Sequence, residues 1–101
     1  MAQLDVHRTR TAATYPFVVD LQADLYAKLA TRLVAPLIAR ARYARPLTRL
    51  SPIVAVRDAA YVVLLPLLAT VPSASLGEIV GSLALHRNAL IAGIDLLVTG
   101  A

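Results

Sequence analysis

The side chains that could perform chemistry are few and lie far apart in the sequence. His7 and His86 are the only histidines, and neither has a second ligand at the spacing of a metal site. Glu78 is the only glutamate, so a catalytic carboxylate pair would need an aspartate brought to it by the fold. The serines and glycines match no nucleophile motif and no phosphate-binding loop. We therefore predict no catalytic residue, cofactor or metal, while a ribonuclease that needs only a base and a cation at the scissile phosphate stays open.

Positive charge is concentrated in the middle of the chain. Residues 28–57 contain seven basic side chains and no acidic one, within a net charge of +4. Four of them form what we call the arginine cluster: Arg40, Arg42, Arg45 and Arg49. Such a cluster either keeps an apolar chain in solution or attracts an acidic partner, a nucleic acid or an acidic peptide. Because Tyr43 is the only aromatic residue among these arginines, sequence-specific nucleic-acid recognition is disfavoured.

The composition predicts one small domain with more apolar surface than its own core can bury. The chain has 101 residues, and 58% of them are hydrophobic. A membrane span needs about 20 consecutive apolar residues, whereas the longest apolar run, Tyr61–Ala69, is interrupted by Pro66. Charged residues stand where a signal peptide would be apolar, and there is no cysteine for a disulfide. We expect a cytoplasmic protein, a single domain over residues 1–101, that covers its surplus apolar surface by oligomerisation.

Six prolines divide the first three quarters of the chain into segments of strand length. Arg57 and Asp58 are expected to form a turn between two strands. Pro36 lies inside an apolar run and predicts an edge strand or a bulge there, and Gly77 and Gly81 are expected in turns. The β-branched and leucine-rich runs predict a mostly antiparallel sheet with strands at Ala2–His7, Phe17–Leu21, Arg32–Ile38, Ile53–Val56 and Tyr61–Leu65.

From Ser82 onward the sequence predicts a single helix. The Ser82 hydroxyl is a candidate N-cap, and Gly100 is a candidate C′ residue. At about 100° per residue, one apolar stripe contains Leu83, Leu90, Ile94 and Leu97. The opposite side carries Asn88, Ala92, Asp95 and Thr99, and close to it lie Leu85 and Leu96. The fold class is therefore mainly β (α+β), and the outward side of the helix is a candidate protein-binding surface.

Short patterns along the whole chain share one arrangement. Residues 19–24 have the pattern V-D-x-Q-small-D, residues 32–37 have R-x-V-x-P-L, and residues 50–54 have L-x-P-x-V, with a turn acid at Asp58. The most specific part follows in register: Val71, Pro72, Gly77, Glu78, Val80, Leu83, Asn88, Ile94, Leu96 and Gly100. In this arrangement the chain resembles the CcdB toxins of bacterial type II toxin–antitoxin modules.

The resemblance implies a fold and a set of partners. CcdB toxins have an SH3-like, CcdB-type antiparallel barrel with one C-terminal helix, a fold shared with the MazF-type endoribonucleases. They form two-fold homodimers, bind the DNA-cleaving subunit of DNA gyrase and trap its cleaved-DNA state without being enzymes themselves. A CcdA-like antitoxin releases the gyrase, and the toxin–antitoxin complex represses its own operon. The resemblance thus implies a non-enzymatic homodimeric toxin that contacts DNA only through the antitoxin complex.

The resemblance also implies a target-binding surface on the outer side of the helix, its last residues and the loop after Asp24. The corresponding residues are Asn88, Ala92, Asp95, Thr99, Gly100, Ala101, Leu25 and Tyr26. The family has tryptophan and isoleucine where this chain has Thr99 and Ala101, and losing an aromatic anchor costs about 2–4 kcal/mol of binding. Two alternatives therefore stay open: a homologue whose target is lost or changed, and a MazF-like endoribonuclease. The arginine cluster is the expected contact for the antitoxin or another acidic partner.

Overall fold

One antiparallel sheet organises the protein. The computed structural model describes residues 2–10, 15–26 and 28–100. Within them the strands are β1 Asp5–Thr9, β2 Phe17–Asp20, β3 Thr31–Ala39, β4 Ile53–Val56, β5 Ala59–Val63, β6 Ala69–Pro72 and β7 Leu76–Ser82, followed by the helix α1 Arg87–Thr99. The hydrogen-bonded order is β4-β5-β3-β2-β1-β7, and β6 pairs with the remaining half of β3. The predicted class, a mainly antiparallel β fold with one C-terminal helix, is confirmed, and the sheet forms half a barrel.

The hairpin of β4 and β5 shows how local sequence curves the sheet. Val54 and Val56 are buried while the residues alternating with them are exposed, as the two-residue period of a strand requires. Arg57 and Asp58 have φ values of 50° and 66°, the positive values that a two-residue hairpin turn of type I′ needs at both positions. The predicted turn is therefore confirmed. Arg57 Nε also donates to the carbonyl of Val80 in β7 at 3.1 Å, which draws the hairpin toward the opposite edge of the sheet.

Pro36 lies at the centre of the sheet, so the predicted edge strand or bulge there is wrong. On one side, β3 pairs with β2; on the other, it pairs with β6 over residues 31–34 and with β5 over residues 37–39. Pro36 falls between the last two pairings, and its carbonyl accepts a hydrogen bond from the Leu64 amide at 2.9 Å. In an antiparallel strand, the N–H and the C=O of one residue point toward the same neighbouring strand. The missing N–H of Pro36 therefore points between β5 and β6, where β3 forms no ladder hydrogen bond that the proline could remove.

The two glycines expected in turns lie inside β7, which corrects that prediction. Gly81 pairs with Val6, and β1 and β7 change register on both sides of His7. A Cβ atom on Gly77 would overlap the carbonyl of Arg8. Glycine therefore permits the close backbone approach at this irregular pairing, as it does at many bulges. Sequence reasoning also missed β6 and β7, and the ends of the other predicted strands differ from the observed ones by a few residues.

The helix begins later than predicted and ends where predicted. Ser82 is the last residue of β7, and its Oγ accepts from the Ala84 amide at 3.2 Å. It therefore stabilises the 3-10 turn Ala84–His86 that precedes α1, and its assignment as the N-cap of α1 is wrong. Gly100 is in the left-handed conformation with φ of 74°, and its amide donates to the Leu96 carbonyl at 2.8 Å. This confirms Gly100 as the residue that stops the helix.

Close contact fixes the middle of the helix against the rest of the protein. Leu90 and Gly93 are its buried residues. A Cβ atom on Gly93 would overlap Leu65 Cδ1 and lie 2.7 Å from the carbonyl oxygen of Arg49. Glycine at this position therefore lets α1 approach the 3-10 turn Leu65–Leu67 and the loop before β4.

The last turn of the helix extends beyond the core. The predicted apolar stripe is buried at Leu83 and Leu90, and Ile94 packs against the core from a half-buried position. Further along, Leu97 is partly exposed and Val98 is 76% exposed. The stripe thus faces the protein in its first part and solvent in its last part.

Candidate protein-interaction site

A buried ion pair lies beneath the loop that precedes β3. Asp20 and Arg32 are fully buried, and Arg32 Nε donates to Asp20 Oδ2 at 3.0 Å while Nη2 contacts the same oxygen. The other oxygen, Asp20 Oδ1, accepts from the Gln22 amide at 3.0 Å. Buried charges are tolerated only when they are paired and hydrogen-bonded in this way. The pair therefore fixes the direction in which the chain leaves β2.

The side chain of Gln22 connects the exposed turn Asp24–Tyr26 to β3. Its Nε2 donates to the Tyr26 carbonyl at 2.7 Å, and its Oε1 accepts from the Leu33 amide in β3 at 3.1 Å. Leu25 in this turn is 83% exposed, and Tyr26 is also exposed. The polar residues of the V-D-x-Q-small-D pattern thus fix the backbone of this turn by hydrogen bonds, and the turn exposes two large apolar side chains to solvent. These polar residues are Asp20, Gln22 and Asp24.

Gln3 joins this turn to the start of the helix. Its backbone N–H donates to Asp24 Oδ1 at 2.6 Å, and its side-chain Oε1 accepts from Arg87 Nη1 at 2.6 Å. Leu85, just before the helix, is 99% exposed. Sequence reasoning assigned no role to Gln3 or Arg87, since contacts between residues so far apart leave no local pattern. The structure therefore brings Leu25 and Tyr26 to the N-terminal end of α1.

The outer side of the helix is exposed along its length. Asn88, Ala92, Asp95 and Thr99, which the sequence placed on one side, are all exposed, whereas Leu96 is half-buried. Thr99 Oγ1 donates to the Asp95 carbonyl one turn earlier at 2.6 Å. The rise of 1.5 Å per residue separates Arg87 from Thr99 by about 18 Å. Leu25 and Tyr26 therefore lie near one end of the helix and Gly100 at the other, while Ala101 lies outside the described residues.

The arginine cluster occupies the long loop between β3 and β4. Arg40 and Arg42 lie in the 3-10 turn Arg40–Arg42, where Arg40 Nη1 donates to the Tyr43 carbonyl at 3.1 Å. Arg42, Arg45 and Arg49 are exposed. Among the described residues, the ion pairs involve other arginines, Arg8 with Glu78 and Arg32 with Asp20. The cluster thus presents positive charge that no acidic side chain of the described residues neutralises.

The two histidines lie in different elements, His7 in β1 and His86 in the 3-10 turn Ala84–His86. His7 is buried in β1, with Nδ1 3.2 Å from the Gly77 carbonyl and Nε2 without a partner among the described residues. His86 is half-buried before the helix. In the described part of the chain, no three or more His, Cys, Asp and Glu residues are grouped so as to hold a metal ion. The helices described there are also too short or too polar to cross a membrane.

Comparison with known proteins places this architecture among toxins. The Mycobacterium tuberculosis toxin MazF-mt6 has a similar structure, with a TM-score of 0.77 at 20% sequence identity over 94% of this chain and 96% of that one. The half-barrel with its closing helix is a CcdB/MazF-like toxin fold. The family model described as CcdB protein matches residues 3–100, and the chain belongs to the CcdB family. No curated protein matches the sequence. Family and fold together support a toxin of a toxin–antitoxin module.

Proposed function

We propose that this chain is a non-catalytic toxin that binds the DNA-cleaving subunit of DNA gyrase and traps its cleaved-DNA state. The observation that carries the proposal is the exposed apolar end of α1, where Leu97, the last residue of the predicted stripe, is 37% exposed and its neighbour Val98 is 76% exposed. Exposed apolar groups next to one another mark protein-binding surfaces. The outer residues Asn88, Ala92, Asp95, Thr99 and Gly100, with Ala101 beyond them, complete this surface.

The turn Asp24–Tyr26 forms the second part of the proposed target-binding surface. Leu25 and Tyr26 are exposed, yet their backbone is held by Gln22 and Asp24. Apolar side chains presented on an ordered support lose little conformational freedom on binding, which is favourable for an interface. We propose that Leu25 and Tyr26 contact the same target as the helix, and that the target binds a dimer of this chain.

A two-fold homodimer is part of the proposal. The strands leave apolar side chains in solvent, among them Ile53 in β4 and Ile79 in β7. Pairing of two chains would cover part of this surface and place two copies of α1 on one particle. Sedimentation equilibrium of the purified chain tests this directly, and a stable monomer at micromolar concentration contradicts it.

A CcdA-like antitoxin is the proposed partner of the arginine cluster. Positive side chains without an intramolecular acid favour an acidic segment, and such contacts weaken with salt. We propose that the toxin contacts DNA only within this complex, where it represses its own operon. Salt-sensitive antitoxin binding is the expected outcome.

Expression of the chain without antitoxin separates the candidate functions. Double-strand DNA breaks and inhibited gyrase supercoiling are expected for the proposed toxin. Harmless expression would indicate a family member whose target is lost or changed, consistent with Thr99 and Ala101 in place of the family's tryptophan and isoleucine. Cleaved messenger RNA would indicate an endoribonuclease, the class to which the similar fold of MazF toxins points. Burial of His7 removes one candidate general base, but His86 is half-buried and Glu78 is exposed beside Arg8, so the RNA assay decides this outcome.

A further inference from the structure

Three exposed arginines are attached to β7 through the Nε atoms of their guanidinium groups. The acceptors lie at every second position of the strand, at distances between 2.8 and 3.1 Å. We call these residues the arginine row, which consists of Arg10 on the Leu76 carbonyl, Arg8 on Glu78 Oε1 and Arg57 on the Val80 carbonyl. Arg8 lies in β1 and Arg10 directly follows it, whereas Arg57 lies in the turn between β4 and β5. Two distant parts of the sequence thus line one strand with positive charge.

The bonds to β7 leave the outer nitrogens of the arginine row available. An arginine has five N–H donors, and each Nε bond uses one of them. Within the described residues, no acceptor is bonded to the Nη1 or Nη2 atoms of the three arginines. These two nitrogens lie side by side in the planar guanidinium group, which is the arrangement that binds two oxygens of one phosphate or carboxylate. Each member of the row is therefore attached to the protein while its anion-binding edge stays unused.

Arg8 is held from a second side. Its Cζ lies 5.6 Å from the ring centroid of Phe17 in β2, within the range of a cation–π contact. Phe17 in turn makes an edge contact with Tyr61 of β5, with 5.3 Å between the ring centroids. The Arg8 side chain nevertheless remains 48% exposed. A guanidinium group that is ordered before binding loses little conformational freedom when an anion arrives.

The spacing of the row selects a ligand that carries several negative charges. Positions two residues apart in a strand are separated by about 7 Å, so the three acceptors span about 14 Å of β7. Successive phosphates of a nucleic-acid strand repeat at a similar distance, whereas an isolated phosphate would meet one guanidinium group at a time. Glu78 within the row and Asp58 beside Arg57 lower the net positive charge, which predicts weak binding.

We propose that the arginine row binds the phosphate backbone of a nucleic-acid strand, with one phosphate at each guanidinium group. Such contacts position a protein on a nucleic acid and do not read its sequence. The inference goes beyond the proposed function, because it gives the toxin a nucleic-acid contact of its own. It rests on that function in one respect: three phosphate contacts alone bind weakly, and the toxin–antitoxin complex brings the row to DNA.

Fluorescence anisotropy of the purified full chain with a labelled short DNA duplex of mixed sequence tests the proposal. The reference probe is a peptide nucleic acid duplex of the same sequence, whose backbone is uncharged. We expect the logarithm of the association constant to fall with the logarithm of the salt concentration with a slope of about −2.7, from about −0.9 for each of three phosphate contacts. The reference probe is expected not to bind. Equal binding of the two probes, or no binding of the DNA duplex at low salt, would overturn the proposal.

Matched variants locate the binding. Arg8→Gln, Arg10→Gln and Arg57→Gln are each expected to weaken DNA binding about fivefold at low salt and to reduce the slope by about 0.9. Glu78→Gln removes the acid within the row and is expected to tighten binding about twofold. Arg45→Gln, the same change in the arginine cluster, is the control and is expected to change binding less than about twofold. Circular dichroism melting confirms that each variant is folded. If Arg45→Gln weakens binding as much as the variants of the row do, or if those variants bind like the unchanged chain, the assigned site is wrong.

Single-stranded DNA and RNA of the same length identify the strand that the row binds. If a single strand binds more tightly than the duplex and Arg8→Gln removes that gain, the phosphate assignment stands and the ligand is a single strand. Displacement of the duplex by inorganic phosphate at the same phosphate concentration would contradict a backbone site, because one phosphate would then be enough.

A gyrase assay separates this inference from the proposed target. Inhibition of gyrase supercoiling is expected to be unchanged in Arg8→Gln, because Arg8 is not part of the helix surface. Gyrase inhibition by a chain that does not bind nucleic acid would overturn the arginine row alone. Nucleic-acid binding without gyrase inhibition would overturn the proposed target and leave the row assignment standing.

Discussion

The two ends of α1 are held in different ways. At its start, Arg87 is hydrogen-bonded to Gln3, which is bonded in turn to Asp24 of the neighbouring turn. At its end, Val98 is exposed, and Thr99 Oγ1 donates back to the helix itself at the Asp95 carbonyl. Segments with few buried contacts open with the smallest free energies. The start of the helix is therefore tied to the neighbouring turn and is called the fixed end, while the last turn, from Leu97 on, lies in solvent and is called the exposed end.

This difference separates the residues that hold the fold together from those that we propose contact the target. The family resemblance near the start of the chain rests on Asp20, Gln22 and Asp24, and each of them makes a structural hydrogen bond. The departures from the family pattern, Thr99 and Ala101, fall at the other end of the helix. A binding site grafted on a fold can change without the fold changing. Family membership therefore says more about the fixed end than about the target.

Breaking the buried ion pair has the largest expected effect on the fixed end. Asp20→Ala leaves the buried Arg32 charge without its carboxylate, and loss of one partner of a buried pair costs about 3–5 kcal/mol. Urea unfolding of the variant measures the free energy of unfolding. The control is Glu78→Ala, which removes the partner of exposed Arg8 and is expected to cost less than about 1 kcal/mol. If the two variants lose similar free energies of unfolding, the Asp20–Arg32 pair does not stabilise this end of the molecule more than an exposed ion pair does.

Local patterns were readable from the sequence, and long-range polar contacts were not. Strand Ile53–Val56 and the Arg57-Asp58 turn follow from alternation and turn chemistry within a few residues. The β7 strand was missed because its glycines have turn propensity, whereas the close approach of Arg8 is what requires Gly77. The sequence also does not show that Asp20 pairs with Arg32, because the pairing depends on how β2 lies beside β3.

In the candidate site, exposure of the helix side was predictable and its support was not. Helical periodicity placed Asn88, Ala92 and Asp95 on one side, and all three are exposed. The position of Leu25 beside the start of the helix depends on Gln3, which contacts residues distant in sequence. Periodicity describes one element at a time. Contacts between elements come from the three-dimensional arrangement of the chain.

Restoring an aromatic anchor at the exposed end tests whether that end alone limits target binding. Thr99→Trp combined with Ala101→Ile is expected to raise affinity for the DNA-cleaving subunit of gyrase by about 2–4 kcal/mol, or roughly 30-fold to 1000-fold. Isothermal titration calorimetry measures the change. Leu47→Trp, which adds an exposed aromatic ring in the loop between β3 and β4, outside the proposed target-binding surface, controls for unspecific association and is expected to give no such gain. No gain in the double variant would mean that the rest of the helix surface also differs from what gyrase requires.

Gly93 lies between the two ends, where the helix touches the 3-10 turn Leu65–Leu67. In Gly93→Ala the new methyl group must displace Leu65 and the Arg49 backbone, and overpacking of this kind costs about 1–3 kcal/mol. Part of that cost is offset by the better helix propensity of alanine. Thermal and urea unfolding measure the net change. Gly81→Ala is the control, since its nearest neighbour would be Val56 Cγ1 at 3.7 Å, and a stability change within about 0.5 kcal/mol is expected. Equal destabilisation would show that contact with the helix is not what requires glycine.

The smallest expected effect is the most direct test of the contrast between the two ends. Gln3→Ala removes the side-chain acceptor of Arg87 and the donor to the Leu21 carbonyl, while the backbone bond from residue 3 to Asp24 is retained. A hydrogen bond of this kind contributes about 1 kcal/mol, which corresponds to roughly fivefold faster exchange of amides that open with the turn. The Tyr26 amide, bonded to the Ala23 carbonyl, reports on the fixed end, and the Gly100 amide, bonded to the Leu96 carbonyl, reports on the exposed end. Hydrogen exchange followed by NMR is expected to accelerate at Tyr26 and stay unchanged at Gly100. Equal acceleration at both amides would mean that the helix moves as one rigid body and that its two ends are not independent.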